Sequence, residues 1–291
     1  MNSVLLPSYA KINLCLFVKG KRSDGYHEIE TLIQQVNLKD DIELTIRDEP
    51  GIELSCDHPD VPRGEENLCV RAATHFMQAT NIQRGIRIKL HKVIPMGAGL
   101  GGGSSNAAVV LMGLSKLWQE NLEPHQLLDL ASQLGSDVPF FIEGGLAVAR
   151  GRGERLYFCE QILDKPVLLV YPRINISTAW AYNELNLGLT MNEKNIKLGH
   201  FKVKEFNNVD FYQEFKNDFE KVVFEKFPLL QKIKEQISEK NSLFSGLSGS
   251  GSTLFGIFRE RHEALEAKRF FEKKYLTFVT DPLKWGYGGV L

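Results

Sequence analysis

Gly97-Ala98-Gly99-Leu100-Gly101-Gly102-Gly103-Ser104-Ser105 places five glycines within nine positions, just after Pro95-Met96 and just before an apolar helical pattern. Glycine is required where backbone must approach a ligand closely or adopt positive φ. A helix start adds unpaired N–H groups and a partial positive charge, and together these suit a polyphosphate. A purely structural turn does not account for so dense a run of the residue that loses most chain entropy on ordering.

The loop is not a Walker A loop, which requires Gly-Lys-Ser/Thr, because no lysine lies in it. Gly97, Gly99 and Gly102 have the dinucleotide-fingerprint spacing. That fingerprint also needs a tighter turn inside a parallel βαβ repeat and an acidic residue ending a second strand. Glu120 falls near the right distance but trails a helix. Phosphoryl transfer on a lysine-free loop therefore needs positive charge and a proton acceptor from elsewhere. Lys11, on a strand face beside Asn13, and Asp137, on a turn after a helix, are the candidates. If they meet, the lysine draws on a substrate hydroxyl and the carboxylate takes its proton. Taken singly, each also reads as an exposed strand lysine and a turn-forming aspartate.

The elements that must position these residues are partly legible. Ile12, Leu14, Leu16 and Val18 alternate with Lys11, Asn13, Cys15 and Phe17, which predicts a strand. An Asp24-Gly25 turn follows, then strands at 42–46 and 86–90 and a helix at 67–79 between them. Ala107, Ala108, Leu111, Leu114 and Leu117 predict a helix over 106–118 with one buried stripe. Pro124 and Gly135 bracket a helix that leads into Ser136-Asp137-Val138-Pro139. Beyond residue 160 come a short apolar strand at 167–171 and a helix capped by Ser177 or Thr178. Helices around 219–227 and 229–239, a strand–turn–strand over 243–258 and a charged helix at 260–274 follow. The 186–208 stretch is polar and patternless. The expected organisation is two α+β lobes, 1–160 and 161–291.

Composition bounds the partners. The 291 residues carry a formal net charge of −1, which offers no long-range field for nucleic acid or anionic lipid. Cys15, Cys56, Cys69 and Cys159 are scattered, as expected of reduced thiols. The amino-terminal residues run straight into a strand pattern, and no apolar stretch nears the ~20 residues of a membrane span. A cytoplasmic protein, monomeric or a weak homodimer, is expected, with no nucleic-acid or membrane partner.

Three separated segments resemble the motifs of the GHMP kinase superfamily, which includes galactokinase, homoserine kinase, mevalonate kinase and phosphomevalonate kinase. They are Ala10-Lys11-Ile12-Asn13-Leu14, Pro95–Ser105, and Gly246-Leu247-Ser248-Gly249-Ser250-Gly251-Ser252. Four further features are similar to the branch acting on a cytidine diphosphate-linked methylerythritol in non-mevalonate isoprenoid synthesis. They are Arg22-Ser23-Asp24-Gly25-Tyr26-His27, the Gly-Gly-Gly-Ser-Ser-Asn form of the loop, Gly135-Ser136-Asp137-Val138-Pro139-Phe140-Phe141, and Ala149-Arg150-Gly151-Arg152-Gly153-Glu154.

The resemblance implies an α+β, two-lobed fold. Its ribosomal-protein-S5-like amino-terminal lobe would contain a left-handed crossover, and its carboxyl-terminal lobe would be ferredoxin-like. It implies ATP with Mg2+, the metal travelling with the phosphates and touched by Ser104 or Ser105, and no protein metal cage. Lys11 and Asp137 match the catalytic pair, and the Pro95–Ser105 loop and Asn67 match the ATP site. Asn13, Tyr26, His27, Thr178 and Tyr182 match the substrate site, where Tyr26 stacks on cytosine, His27 reads its edge and Tyr182 closes the stack. The third motif would shape the floor. Ser23 departs from a family proline. The rival readings are another kinase of the superfamily acting on a different alcohol, and a non-catalytic sensor, which should have lost Lys11 or Asp137.

Overall fold

In a computed structural model of the chain, residues 2–120, 122–160, 163–185 and 209–284 are described. The predicted 186–208 loop lies outside them.

The amino-terminal half is organised by one long hairpin. β1 (Ser3–Lys21) and β2 (His27–Arg47) pair antiparallel across a turn in which Gly25 takes φ +85° and the Arg22 amide donates to the Tyr26 carbonyl (2.7 Å). Register slips at Tyr9/Ala10, Asn13/Cys15 and Val18/Gly20 interrupt the ladder. They also break the alternation expected along β1: Ile12 through Phe17 are all buried, because both faces of this strand are covered. A bulge bends a strand and re-aims side chains, and here it does so beside Lys11 and Asn13.

The other edge of β2 is shared by two strands. β4 (Gly85–His91) pairs with Asp41–Arg47, and β5 (Leu146–Gly151) pairs with Ile29–Gln34. β3 (Ile52–Cys56) lies parallel to β4 and is joined to it through α1 (Leu68–Thr80), so one parallel βαβ unit stands upstream of the glycine loop. β6 (Arg155–Cys159) extends the sheet beyond β5. No strand was expected at β3, β5 or β6, and the 42–46 strand is the far end of a 21-residue one.

α2 (Gly102–Trp118) starts four residues earlier than the apolar pattern indicated, inside the glycine run. It is buried on nearly every side from Ser105 to Leu114, not along one stripe, because α1, α3 (Pro124–Leu134), β1 and β2 all pack on it. α3 has the expected bounds. A Glu123–Gln126 capping box opens it and Gly135 closes it, and the chain then turns through Asp137 into α4 (Phe140–Glu143).

The second sheet contains β7 (Val167–Tyr171), β8 (Phe244–Leu247), β9 (Leu254–Ile257) and β10 (Leu276–Thr280), all antiparallel in the order β10-β7-β9-β8. Helices α5 (Thr178–Glu184), α6 (Phe219–Lys226) and α7 (Pro228–Ser238) lie between β7 and β8 in sequence, and α8 (Arg261–Phe271) precedes β10. The pattern is ferredoxin-like. A 3₁₀ helix, Val209–Glu214, precedes α6.

One apolar cluster joins the two halves, taking Ile12 and Leu14 from β1, Leu146 and Val148 from β5, and Val167, Phe255 and Ile257 from the second sheet. Backbone bonds reinforce it: Leu16 N–H donates to Lys216 O (2.8 Å) and Leu283 N–H to Gln35 O (2.9 Å). Cys15, Cys56, Cys69 and Cys159 are free thiols, and burial pushes Cys15 and Cys69 up to about 12. Among the described residues no helix is long and apolar enough to cross a membrane.

Candidate active site

The glycine loop runs between the two halves and is gripped from the carboxyl-terminal side. Ser248 Oγ donates to Gly99 O (2.8 Å), Thr253 N–H to Ala98 O (3.2 Å) and Tyr171 Oη to Met96 O (3.3 Å). The glycines are sterically required. Gly99 has φ +76°, and a Cβ there would lie 2.1 Å from Ser248 O. Gly101 has φ +70°, and its Cβ would meet Phe141 at 2.8 Å and the Lys11 stem at 3.0 Å. Gly101 is the left-handed N-cap of α2 and has no side chain to satisfy the first-turn amides, so those donors stay available to an anion.

Pro95 through Ser104 line a cleft of about 800 Å³. Ser105 does not. It is fully buried, with its hydroxyl accepting from Ser8 Oγ (2.8 Å), so Ser104 is the loop serine that faces the cleft. Asn67 lines the cleft too, but its side chain caps α1 by accepting from Cys69 N–H (2.8 Å) while donating to Pro62 O (2.6 Å).

Lys11 and Asp137 converge in this cleft. Lys11 N–H donates to Leu100 O (3.0 Å), which ties β1 to the loop, and Lys11 Nζ lies 3.6 Å from Asp137 Oδ2. The lysine side chain is 6% exposed and the aspartate 41%, so the carboxylate faces the open volume while the ammonium is held behind it. Asn13 supports the lysine. Its Oδ1 accepts from Lys11 Nζ (2.5 Å), its Nδ2 donates to Thr31 Oγ1 (2.9 Å), and Thr31 donates on to Cys15 O (2.6 Å). Asn13 N–H also donates to Ser248 Oγ (3.3 Å), so the third motif holds loop and pair together.

The far end of the cleft is aromatic. Tyr26 is 54% exposed, and the Arg152 guanidinium lies 4.8 Å from its ring centroid. Tyr182 stacks on His27 (centroids 4.7 Å, 18° between planes) and is held edge-on by Phe219 (4.8 Å, 84°). Packed between these two rings, Tyr182 backs His27 and lines the cleft together with it and Tyr26. Burial, and secondarily the charge of Lys21, lowers the His27 pKa, so its ring is neutral at neutral pH. Burial, with Asp137 adding, pushes the Tyr182 phenol up to about 12. Thr178 Oγ1 and Ser250 Oγ lie 3.0 Å apart at the rim.

Two contributors escaped the sequence reading. Nothing in the Ala149–Glu154 segment sets Arg152 apart from the arginines around it; Arg150 and Arg155 pair with Glu30 and Glu28, while Arg152 lines the cleft. Asn217, which donates to Leu247 O and Gly249 O (both 2.8 Å) and so shapes the third motif, carries no local signal.

Residues 67–145 match the family of GHMP kinases N terminal domains, and residues 203–276 match the GHMP kinases C terminal family. The 4-diphosphocytidyl-2-C-methyl-D-erythritol kinase of Pelodictyon phaeoclathratiforme is 40% identical over 97% of this chain and 98% of its own. The Alkaliphilus metalliredigens protein of the same name is 41% identical over 92% of each chain. A crystal structure of a 4-(cytidine 5'-diphospho)-2C-methyl-D-erythritol kinase superposes with a TM-score of 0.78 at 31% identity, covering 96% of this chain and 99% of the other. A homoserine kinase from Cytophaga hutchinsonii, at 17% identity and TM-score 0.74 over 98% and 96%, shares the fold. The chain belongs to the GHMP kinase family of ATP-dependent small-molecule kinases, grouped with the 4-diphosphocytidyl-2-C-methyl-D-erythritol kinases.

Proposed function

We propose that this kinase transfers the γ-phosphate of ATP to the 2-hydroxyl of 4-diphosphocytidyl-2-C-methyl-D-erythritol, forming the 2-phosphate and ADP in the non-mevalonate isoprenoid precursor route. The observation that carries the reading is the Lys11–Asp137 pair, 3.6 Å apart in a cleft that has a glycine loop at one end and Tyr26, His27 and Tyr182 at the other. The names of the similar proteins support the substrate.

In this reading the first-turn N–H groups of α2 and the loop backbone hold the triphosphate. The Asp137 carboxylate accepts the hydroxyl proton as the oxygen attacks the γ-phosphorus. The bond from that phosphorus to the β–γ bridging oxygen breaks, ADP leaves, and Asp137 returns its proton to solvent. Lys11 offsets the negative charge around the transferring group, and Asn13 fixes the ammonium's direction. Tyr26 stacks on the cytosine, while His27, backed by Tyr182, presents a neutral ring edge to it. Thr178 borders this substrate, and Arg152 brings positive charge toward its diphosphate. Asn67 borders the adenine end.

Mg2+ bound with the ATP phosphates would neutralise their charge. Ser104 supplies the hydroxyl oxygen on the first turn of α2 that faces this volume, a fit for a cation bound mainly through phosphate and water. Segments 1–160 and 161–291 act as the ATP-binding and carboxyl-terminal domains. The enzyme works in the cytoplasm, as a monomer or weak homodimer, without nucleic-acid or membrane partners. The test is ADP release with a panel of alcohols. The cytidylated methylerythritol should be turned over far above homoserine, mevalonate or galactose; turnover of one of those in its place would refute the substrate while leaving the kinase.

A further inference from the structure

Beneath the phosphate loop lies a carboxylate that the phosphoryl-transfer reading does not use. Asp40 on β2 is fully buried and accepts four hydrogen bonds: from Lys92 Nζ (2.6 Å), Val93 N–H (2.7 Å), Ile94 N–H (2.8 Å) and Asn106 Nδ2 (2.9 Å). Lys92 also donates to Ile94 O (2.5 Å), and Asn106 Nδ2 also contacts Ser8 Oγ (2.8 Å), whose proton goes to Ser105 (2.8 Å). One carboxylate thus ties together the middle of β2, the 92–94 segment leading into the loop and the second turn of α2, with β1 joined through Ser8. Lys92 and Asn106 line the cleft, and the Lys92 ammonium lies 3.1 Å from where a Cβ of Gly102 would stand.

Stability alone is a poor account of this arrangement. A buried ion pair recovers its desolvation cost only with excellent geometry, and a well-packed apolar replacement is often neutral or better. An apolar residue could not accept four directed bonds from segments on both sides of one loop. These bonds fix the loop's entry (92–94) and its exit into α2 (105–106), the two ends that aim the phosphate-binding amides. Between those ends the loop is held from the carboxyl-terminal side at Met96, Ala98 and Gly99, so the Asp40 bonds complete its anchoring from the amino-terminal side.

We propose that Asp40 is a positioning residue for nucleotide phosphates: through the 92–94 amides and Asn106 it sets the loop and the start of α2. The proposal rests on the phosphate-loop reading above. Its test is the ratio of ADP to adenosine affinity, measured by calorimetry on the full chain, for wild type, Asp40→Asn and Asn106→Ala. In Asp40→Asn an amide N–H₂ faces the Lys92 and Asn106 donors, so the clamp opens. In Asn106→Ala the α2 link is removed while the Asp40–Lys92 pair remains. The ratio should fall by roughly tenfold or more in both, as mis-set supporting contacts do, with adenosine affinity retained. A merely structural role would weaken both ligands alike or leave both unchanged, and either result overturns the proposal. If Asp40→Asn does not fold, Asn106→Ala decides. Wild type that binds ADP no better than adenosine overturns the phosphate-loop reading itself; a normal wild-type ratio that persists in the variants overturns only the role of Asp40.

Discussion

Asp137 and Lys11 are in contact, and their roles separate on mutation. Asp137→Asn should lower kcat by roughly 10²–10⁴, the usual worth of a positioned base, with KM for ATP little changed; a near-normal rate removes Asp137 from the chemistry. Tyr26→Ala should weaken cytidine binding by about 1–3 kcal/mol, the scale of base–aromatic stacking. Equal cytidine affinity in the variant would disprove the aromatic site without touching the kinase assignment. His27 carries a pH consequence. Burial and Lys21 lower its folded-state pKa below the ordinary 6.5, so below that pH the unfolded chain takes up a proton that the folded one resists. Its contribution to stability is complete above about pH 6.5 and declines as pH falls toward the folded value. Denaturation midpoints at pH 7.5 and 5.5 should therefore differ less in His27→Gln than in wild type; identical differences would contradict the depressed pKa.

The glycine loop, α2 and the third motif behave as one assembly. Gly99→Ala would set a Cβ 2.1 Å from Ser248 O on a residue with φ +76°. The left-handed conformation alone costs about 1–2 kcal/mol for a residue with a Cβ, and the clash forces loop and motif apart. Both ATP KM and thermal stability should worsen, and a variant with wild-type values for both would show that the loop can relocate freely. Local chemistry made α3 readable to the residue, because Pro124 and Gly135 are unambiguous end signals. The start of α2 was not readable. Gly102 and Gly103 are poor helix formers, and packing by α1, α3 and the hairpin overrides that preference.

Across the whole molecule, the apolar cluster shared by both sheets couples the lobes. Phe255, fully buried within it, should cost about 3–5 kcal/mol when truncated to alanine, and the chain should still unfold in one transition. Two resolved transitions would mean that the proposed division at residue 160 separates independent stability units. The cleft lies along this shared boundary, so destabilisation there should also reduce turnover.

Residue chemistry by itself marked the glycine run as the candidate polyphosphate loop, a lysine and an aspartate as the candidate pair, and the ends of several helices. These follow from local rules: glycine's φ freedom, helix caps and hydrophobic period. Tertiary structure decided the rest. Thr31 and Ser248 hold Asn13 against Lys11, burial withdraws Ser105 while leaving Ser104 in the cleft, and Phe219 packs Tyr182 against His27. Each depends on segments distant in sequence meeting at ångström precision, and no local propensity encodes such a meeting. The same holds for Asp40, an ordinary strand aspartate in the sequence, whose four donors are brought to it only by folding.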